Sequence, residues 1–457
     1  MKPARSPDDY AASVRGQYED YPYPSRYPEK EGTFFACSEP QSLMALSHAA
    51  WGGTRDLRLG TRLLIAGCGT GDACVHYAEE LLGCDAEIIA IDLSSTSIEI
   101  AKARLAKRGL SNVTFHQLSI LDLPKADLGQ FDIIESSGVL HHLPDPDAGL
   151  AALTHMLKED GLLTLMVYGQ YGRYSVYLIQ ELMKQLLGED MPRAKKIALA
   201  RDFLNHVPNG HWITVNNAMF LEDIQWPDGS GVYDLFLHST DRAYTVPEIY
   251  DWLEGCGLQL VEFFSSFTDD SLYTPECYNT SPGLGEIFAS KSPRARHQIA
   301  ELMNGNMAKH YFHAAKQEKT QAVFADDMVI AYGAMQALFP QFTNNFLAAL
   351  TNAPIGQRVE GNPRPFDGAP SLFITKTKHV EALIPLIDGM RSIGQIVQQV
   401  VSTSGARAEE VRRDLMHLYR EYRSRQLVFL RHESVPPYRD GPAIMARVEQ
   451  FLKQNNG

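Results

Sequence analysis

Between residues 62 and 169 the chain keeps returning to one pattern, a short apolar run followed by a stretch with helical spacing. "RLLIAG" leads into "DACVHYAEELL", and "AEIIAID" into "SSTSIEIAKARLAKRG". "VTFHQL", "FDIIESS", "DAGLAALTHML" and "GLLTLMVYG" continue the series. Parallel strands need a crossover between them, usually a helix, so this rhythm predicts a parallel sheet with helices on both faces. It lapses over residues 171 to about 240, which read as a mainly helical insertion. It resumes with "TVPEIYDWLEGCG", a helix with Thr245 as N-cap, and the strand "LQLVEFF". "KHYFHAA", residues 309–315, is the strand expected to close the sheet.

The first strand breaks in "LLIAGCGTGD", residues 63–72. A dinucleotide turn requires G-x-G-x-x-G, with pyrophosphate at the following helix N-terminus. Here the glycines are Gly67, Gly69 and Gly71, and the third required position is Asp72. A carboxylate there repels pyrophosphate and tolerates a cation. Alternating glycines let the backbone approach a ligand closely. Asp92 ends the second strand, 21 residues after Gly71, where an acid takes both hydroxyls of a ribose. A ribose joined to a cationic group points to S-adenosylmethionine (SAM).

Taken together, "LLIAGCGTG", "AIDLS", "FDIIESSGVLHHLPDP" and "LKEDGLLTLMVYG" resemble the class I SAM-dependent methyltransferases in order and spacing. The resemblance is good over about residues 58–168 and weak to about 317. It implies an α/β fold, Rossmann-like, with a seven-stranded and mostly parallel sheet. It places Gly67, Cys68, Gly69 and Gly71 under the methionine part of SAM, Asp92 on the ribose and Leu93 on the adenine. Leu118, Ser119 and Ile120 flank the adenine edge, and Ser136 to Gly138 face the methyl group. Two positions depart from the family. Its members usually carry an acid two residues before the first motif glycine, where this chain has Ile65. Many carry Asp at the adenine edge, where this chain has Ser119. Asp72 is the acid that would compensate for Ile65.

Methyl transfer from a sulfonium rests on orientation and exclusion of water, and needs a base only when the acceptor is protonated. His141 and His142, just after the strand facing the methyl group, are the candidate bases. Arg173 and Tyr171, after the next strand, are placed to orient a substrate. "QYEDYPYPSRYP" holds Tyr18, Tyr21, Tyr23, Arg26 and Tyr27, and reads as a lid over the pocket. The Asn/Asp-Pro-Pro-Tyr/Phe motif of many base-amine methyltransferases is replaced by "ESSG", which disfavours a nucleobase amine as acceptor.

The expected organisation is a lid segment over 1–45, a SAM-dependent methyltransferase domain over 46–317, a linker over 318–369 and a small α+β domain over 370–457. In the last, Val411, Leu415, Leu418 and Tyr422 mark one helix face, with Leu383, Leu386 and Ile387 as the facing surface. The order of strand, helices and strand there resembles winged-helix modules and small peptide-binding domains of the PqqD type. Its own core predicts independent folding. It implies a peptide or protein acceptor; dimerisation, giving a homodimer, is the other role open to it. Arg407, Arg412, Arg413, Arg420, Arg423, Arg425 and Arg431 alternate with acids, so they read as a solvated face.

The net charge of −13 argues against nucleic acid as a partner. The chain shows neither an apolar run of membrane-spanning length nor a hydrophobic signal core, and reads as cytoplasmic. Its six cysteines form no C-x-x-C pair, so neither a disulfide framework nor a metal site is expected. The expected activity is methylation of an oxygen, carbon or nitrogen on a small molecule or polypeptide side chain. The opposing class is a non-catalytic SAM-binding regulator whose C-terminal module binds a protein or DNA.

Overall fold

β1 (Leu59–Ala66) ends in four consecutive buried apolar residues, Leu63 to Ala66. A run without alternation suits a strand packed on both faces. Leu64 and Ala66 enter one core with the helices Pro146–Met156 and Val246–Gly255. Leu63 and Ile65 enter another with the helices Leu43–Ala50, Asp72–Glu80 and Ser95–Lys107. The sheet is therefore the middle layer of three. The computed structural model describes residues 15–16, 18–32, 41–188, 190–238, 241–265, 272–278, 281–333, 340–361 and 372–455. Within the expected lid, residues 1–14, 17 and 33–40 lie outside the described residues.

β2 (Asp85–Asp92), β3 (Thr114–Gln117), β4 (Phe131–Ser137) and β5 (Leu157–Gly169) follow, then β6 (Ala243–Tyr244), β7 (Gln259–Phe264) and β8 (Lys309–Ala315). The sheet runs β3-β2-β1-β4-β5-β8-β7, and β6 pairs with β5 off this path. The seven expected strands form the path, and the two-residue β6 makes the sheet eight-stranded. β8 is antiparallel to both β5 and β7. The order reverses between β1 and β4, and a crevice at such a switch point, beyond the carboxyl ends of the strands, is where open α/β sheets hold ligands.

The insertion is helical as expected, with Tyr174–Leu186, Arg193–Asn205, Trp212–Asn216 and Ser230–Phe236 around a core of their own. Thr245 caps its helix in a reciprocal box with Glu248. No helix among the described residues is long and apolar enough to cross a membrane.

The C-terminal part departs from the expected linker and independent module. Residues 318–369 hold β9 (Met328–Tyr332), the helix Pro340–Thr351 and β10 (Arg358–Gly361). Met328, Ile330, Phe346, Leu350 and Val359 share one core with Val411, Leu415, Leu418, Tyr422, Leu383 and Ile387, against which Leu386 is partly buried. β10 pairs with β11 (Leu372–Thr375), and β9 pairs with β12 (Val428–His432). The β9–β12 ribbon lies on the helix Leu43–Ala50, where Met44 and Ala45 meet Ala331 and Phe429. His48 Nδ1 accepts from the Leu430 N–H at 3.0 Å. Gln426 and Arg423 reach Ser265 and Glu262 on the sheet side, each at 2.8 Å. The segment is thus continuous with the sheet domain, through contacts between residues far apart in sequence.

Candidate active site

The turn after β1 uses positive φ at Gly67, Gly69 and Gly71. A Cβ on Gly67 would lie 2.5 Å from Val139, and one on Gly71 would lie 2.7 Å from Ala101. The first glycine thus lets the loop after β4 close over the turn, and the third lets two helices pack. Asp92 fixes this loop: its Oδ2 accepts from the Gly69 N–H at 2.8 Å and its Oδ1 from the Ser94 N–H at 2.9 Å. Ser94, not Asp92, caps the next helix through the Ser97 N–H. A carboxylate accepts about four hydrogen bonds, so Asp92 keeps capacity for a diol. Burial pushes its pKa up against the pull of the Ser94, Gly69 and Leu93 N–H groups.

A cavity of about 590 Å³ opens here, within the usual size of a small-molecule site. Gly67, Cys68, Gly69, Asp92, Leu93, Leu118 and Ile120 line it around the glycine turn, with Gly138 beside them. Gly71, Ser119 and Ser136, expected at the same site, are absent from its wall and have other partners. Gly71 starts a helix, Ser119 caps the turn Ile120–Lys125, and the Ser136 hydroxyl donates to the Ala66 carbonyl at 2.9 Å.

The lid residues divide. Tyr18, Tyr23 and Arg26 line the cavity. Arg26 grips Asp72 with two hydrogen bonds of 2.9 and 2.7 Å, and Arg104 holds the same carboxylate at 2.7 Å. Burial would raise the Asp72 pKa, but the two guanidinium groups outweigh it and lower it. Asp72, the acid expected to compensate for Ile65, is on the cavity wall with three hydrogen bonds from these two guanidinium groups. Tyr21 is off the cavity wall, partly buried against the insertion's core and stacked on Tyr233, with ring centres 5.5 Å apart. Tyr171 is likewise off the wall and 40% exposed, because it sits in the turn after β5.

The other half of the cavity is aromatic and titratable. Tyr168, Phe220, Trp226, Leu235 and Tyr311 line it, with His142, Arg173 and Asp234. Arg173 lies 3.4 Å above the Tyr168 ring and pairs with Asp241 at 3.4 Å, all three groups being buried. Burial opposes its charge, but Tyr168 and Asp241 outweigh that and raise its pKa. The two histidines separate. His142 is on the wall, while His141 is fully buried behind it against Tyr168, its ring nitrogens without hydrogen-bond partners. Burial, then neighbouring cationic groups, hold the His141 pKa well below its ordinary value.

Sequence reasoning named His142 but missed Asp234, His238 and Glu135. His142, Asp234 and His238 each place one donor atom within 4.8 Å of the others, a spacing that suits a shared proton or a metal ion. The Tyr18 hydroxyl donates to Asp234 Oδ1 at 3.2 Å, tying the lid to this cluster. Asp234 and His238 stand four residues apart, the spacing of one helix face, and that was the available signal. Glu135 also lines the cavity. Its Oε1 accepts from Gln41 Nε2 at 2.9 Å and from the Ser137 hydroxyl, while its buried Oε2 has no hydrogen-bond partner.

Comparison with known proteins gives three kinds of likeness. A family model described as a methyltransferase domain matches residues 58–199. An uncharacterized protein of Synechococcus sp. is 30% identical over 336 residues, 71% of this chain and 76% of its own length. The ubiquinone biosynthesis O-methyltransferase of Thiobacillus denitrificans is 33% identical over 111 residues, 24% of this chain and 46% of that relative, so the match spans about half of it. Among solved structures, PKMT2 from Rickettsia typhi is similar with a TM-score of 0.61 at 16% identity, over 88% of this chain and 77% of that one. Its complex with AdoHcy gives 0.61 at 15%, over 90% and 78%. This likeness is one of fold, and it covers more of the chain than residues 1–317 alone supply.

Proposed function

Since the chain belongs to the class I SAM-dependent methyltransferases, we propose that it methylates a hydroxyl on a small, largely apolar acceptor, with His142 as the base. SAM supplies an electrophilic methyl group on a sulfonium. The residues present fit it: a crevice at the strand-order reversal, a glycine turn and a ribose-type acid with spare acceptor capacity. Asp92 would hold the ribose, and Leu93, Leu118 and Ile120 would surround the adenine.

The observation that carries the reading is the position of His142 on the wall shared by the two halves, beside Asp234 and His238. A hydroxyl is a poor nucleophile until its proton is removed, and a carboxylate beside a histidine favours the charged imidazolium that results. Tyr168, Phe220 and Trp226 offer apolar faces for an acceptor, and Arg173 offers a fixed charge to orient a polar substituent. The ubiquinone-pathway relative, by its name an O-methyltransferase, agrees with an oxygen acceptor. We read the C-terminal part as winged-helix-like, with its ribbon bracing the sheet domain.

The test uses extract of the cells that make the protein, split into small-molecule and macromolecular fractions. S-adenosylhomocysteine should form with the first fraction. His142→Gln should lower turnover roughly 10²- to 10⁴-fold, the usual worth of a general base, with SAM affinity unchanged. Turnover with the macromolecular fraction alone would move the acceptor to a polypeptide. Wild-type turnover in the variant would remove His142 as base.

A further inference from the structure

We infer that Glu135 holds the ammonium of SAM's amino-acid end, supplying from β4 the acid that Ile65 lacks on β1. The strands run parallel with Ile65 paired directly to Glu135. Paired residues of parallel strands point to the same face, and neighbouring strands lie about 4.8 Å apart. A carboxylate at 135 therefore serves the same end of the crevice as one at 65 would. Both residues line the cavity. Ile65 meanwhile completes the core with Leu43, Leu46 and Ile133.

The surroundings of Glu135 suit a cation that arrives with a ligand. The residue is 1% exposed. Gln41 and Ser137 both spend their donors on Oε1, which fixes the carboxylate plane and leaves Oε2 unmatched. No ion pair reaches Glu135 among the described residues. Of the guanidinium groups on the cavity wall, Arg26 is engaged by Asp72 and Arg173 by Asp241. His76, also on that wall, is kept neutral by burial, which pushes its pKa down to about 4. A buried acid without a cation costs free energy in the empty protein, so its burial is pushing the pKa up to about 7. An ammonium beside it relieves that cost. The inference concerns the cofactor alone and is independent of which acceptor is methylated.

Calorimetry on the full chain tests this with two probes, SAM and 5′-methylthioadenosine, which lacks the amino-acid end. Glu135→Gln should weaken SAM roughly 10- to 100-fold, the scale of a lost charge-assisted hydrogen bond, and leave methylthioadenosine within about twofold. SAM bound as tightly as by the wild type, or equal losses for both probes, would overturn the assignment. If Glu135→Gln does not fold, Glu135→Asp keeps the charge but withdraws it by one methylene. It should still weaken SAM selectively, and an unchanged ratio of the two affinities would overturn the assignment equally.

Discussion

Glu135 also makes a prediction about the empty protein. A free glutamate ionises near its ordinary value of 4.5, whereas burial in the fold moves this one to about 7. Between those pH values the folded state keeps a proton that the unfolded state has lost. Its contribution to stability is thus largest below about 4.5, falls as pH rises, and levels off above about 7, a total loss of about 3 kcal/mol. Without SAM, Glu135→Gln should flatten this part of the pH profile in thermal melts from pH 4.5 to 8. A variant profile that parallels the wild type would show that Glu135 ionises normally. The same residue shows where sequence reading stops. Gly67 and Gly69 were legible because their conformation is set within one strand-turn-helix unit, and Asp92 because it ends the next strand of the same βαβ unit. Glu135 stood in the quoted "ESSG", but its meaning comes from the register of β4 against β1, which neither strand's sequence contains.

Among the elements, the N-terminal strap joins parts that the sheet does not. The Thr70 hydroxyl donates to the Pro24 carbonyl at 2.8 Å, and the Ser94 hydroxyl donates to the Tyr18 carbonyl at 3.1 Å. Glu19 accepts from the Thr96 hydroxyl, the Ser95 and Thr96 N–H groups and the Ser95 hydroxyl, where a helix N-terminus favours an anion, and those bonds bring its pKa down to about 2 despite the opposing cost of burial. On the other side, Tyr18 meets Asp234, and Tyr23 packs near Trp226 of the insertion. The strap therefore lies across the glycine turn and the insertion together. Deleting residues 1–32 should leave the sheet intact, since the described residues of the strap add no strand to it. SAM affinity should drop at least about tenfold, the worth of one or two such hydrogen bonds. Circular dichroism and calorimetry check both parts, and wild-type affinity in the deletion would make the strap dispensable. The alternation of strand and helix was legible because periodicity is local. Residues 318–369 were misread because β9 gains its partner only from β12, across the intervening helices.

At the scale of the whole molecule, the C-terminal segment and the cofactor crevice share the helix Leu43–Ala50. All eight of its residues are buried. Leu43 and Leu46 face the sheet, while Met44 and Ala45 face the β9–β12 ribbon. The Leu43 N–H donates to Glu80 at 2.9 Å, and Gln41, just ahead of the helix, reaches Glu135. His48 joins Leu430 and Arg423, and burial keeps its pKa well below the ordinary value, with Arg423 adding to the effect. At the far end of the chain, Arg447 pairs with the buried Glu79 of the helix that follows the glycine turn. A chain ended at residue 361 loses β12 and the helix Gly441–Asn455 that carries Arg447. It re-exposes Met44, at a cost of about 2 kcal/mol, and leaves Glu79 without Arg447. The ribbon that buries the helix is then gone, and Gln41 is held less firmly against Glu135. The truncated protein should melt at a lower temperature and bind SAM more weakly, rather than retain the binding expected of an independent domain. Arg423→Ala, which removes only the contacts to Glu262 and His48 across the joint, should lower the melting temperature by a smaller amount and leave SAM affinity near that of the wild type. A truncated chain that melts and binds SAM as the full chain does would show that the ribbon merely rests on the sheet domain.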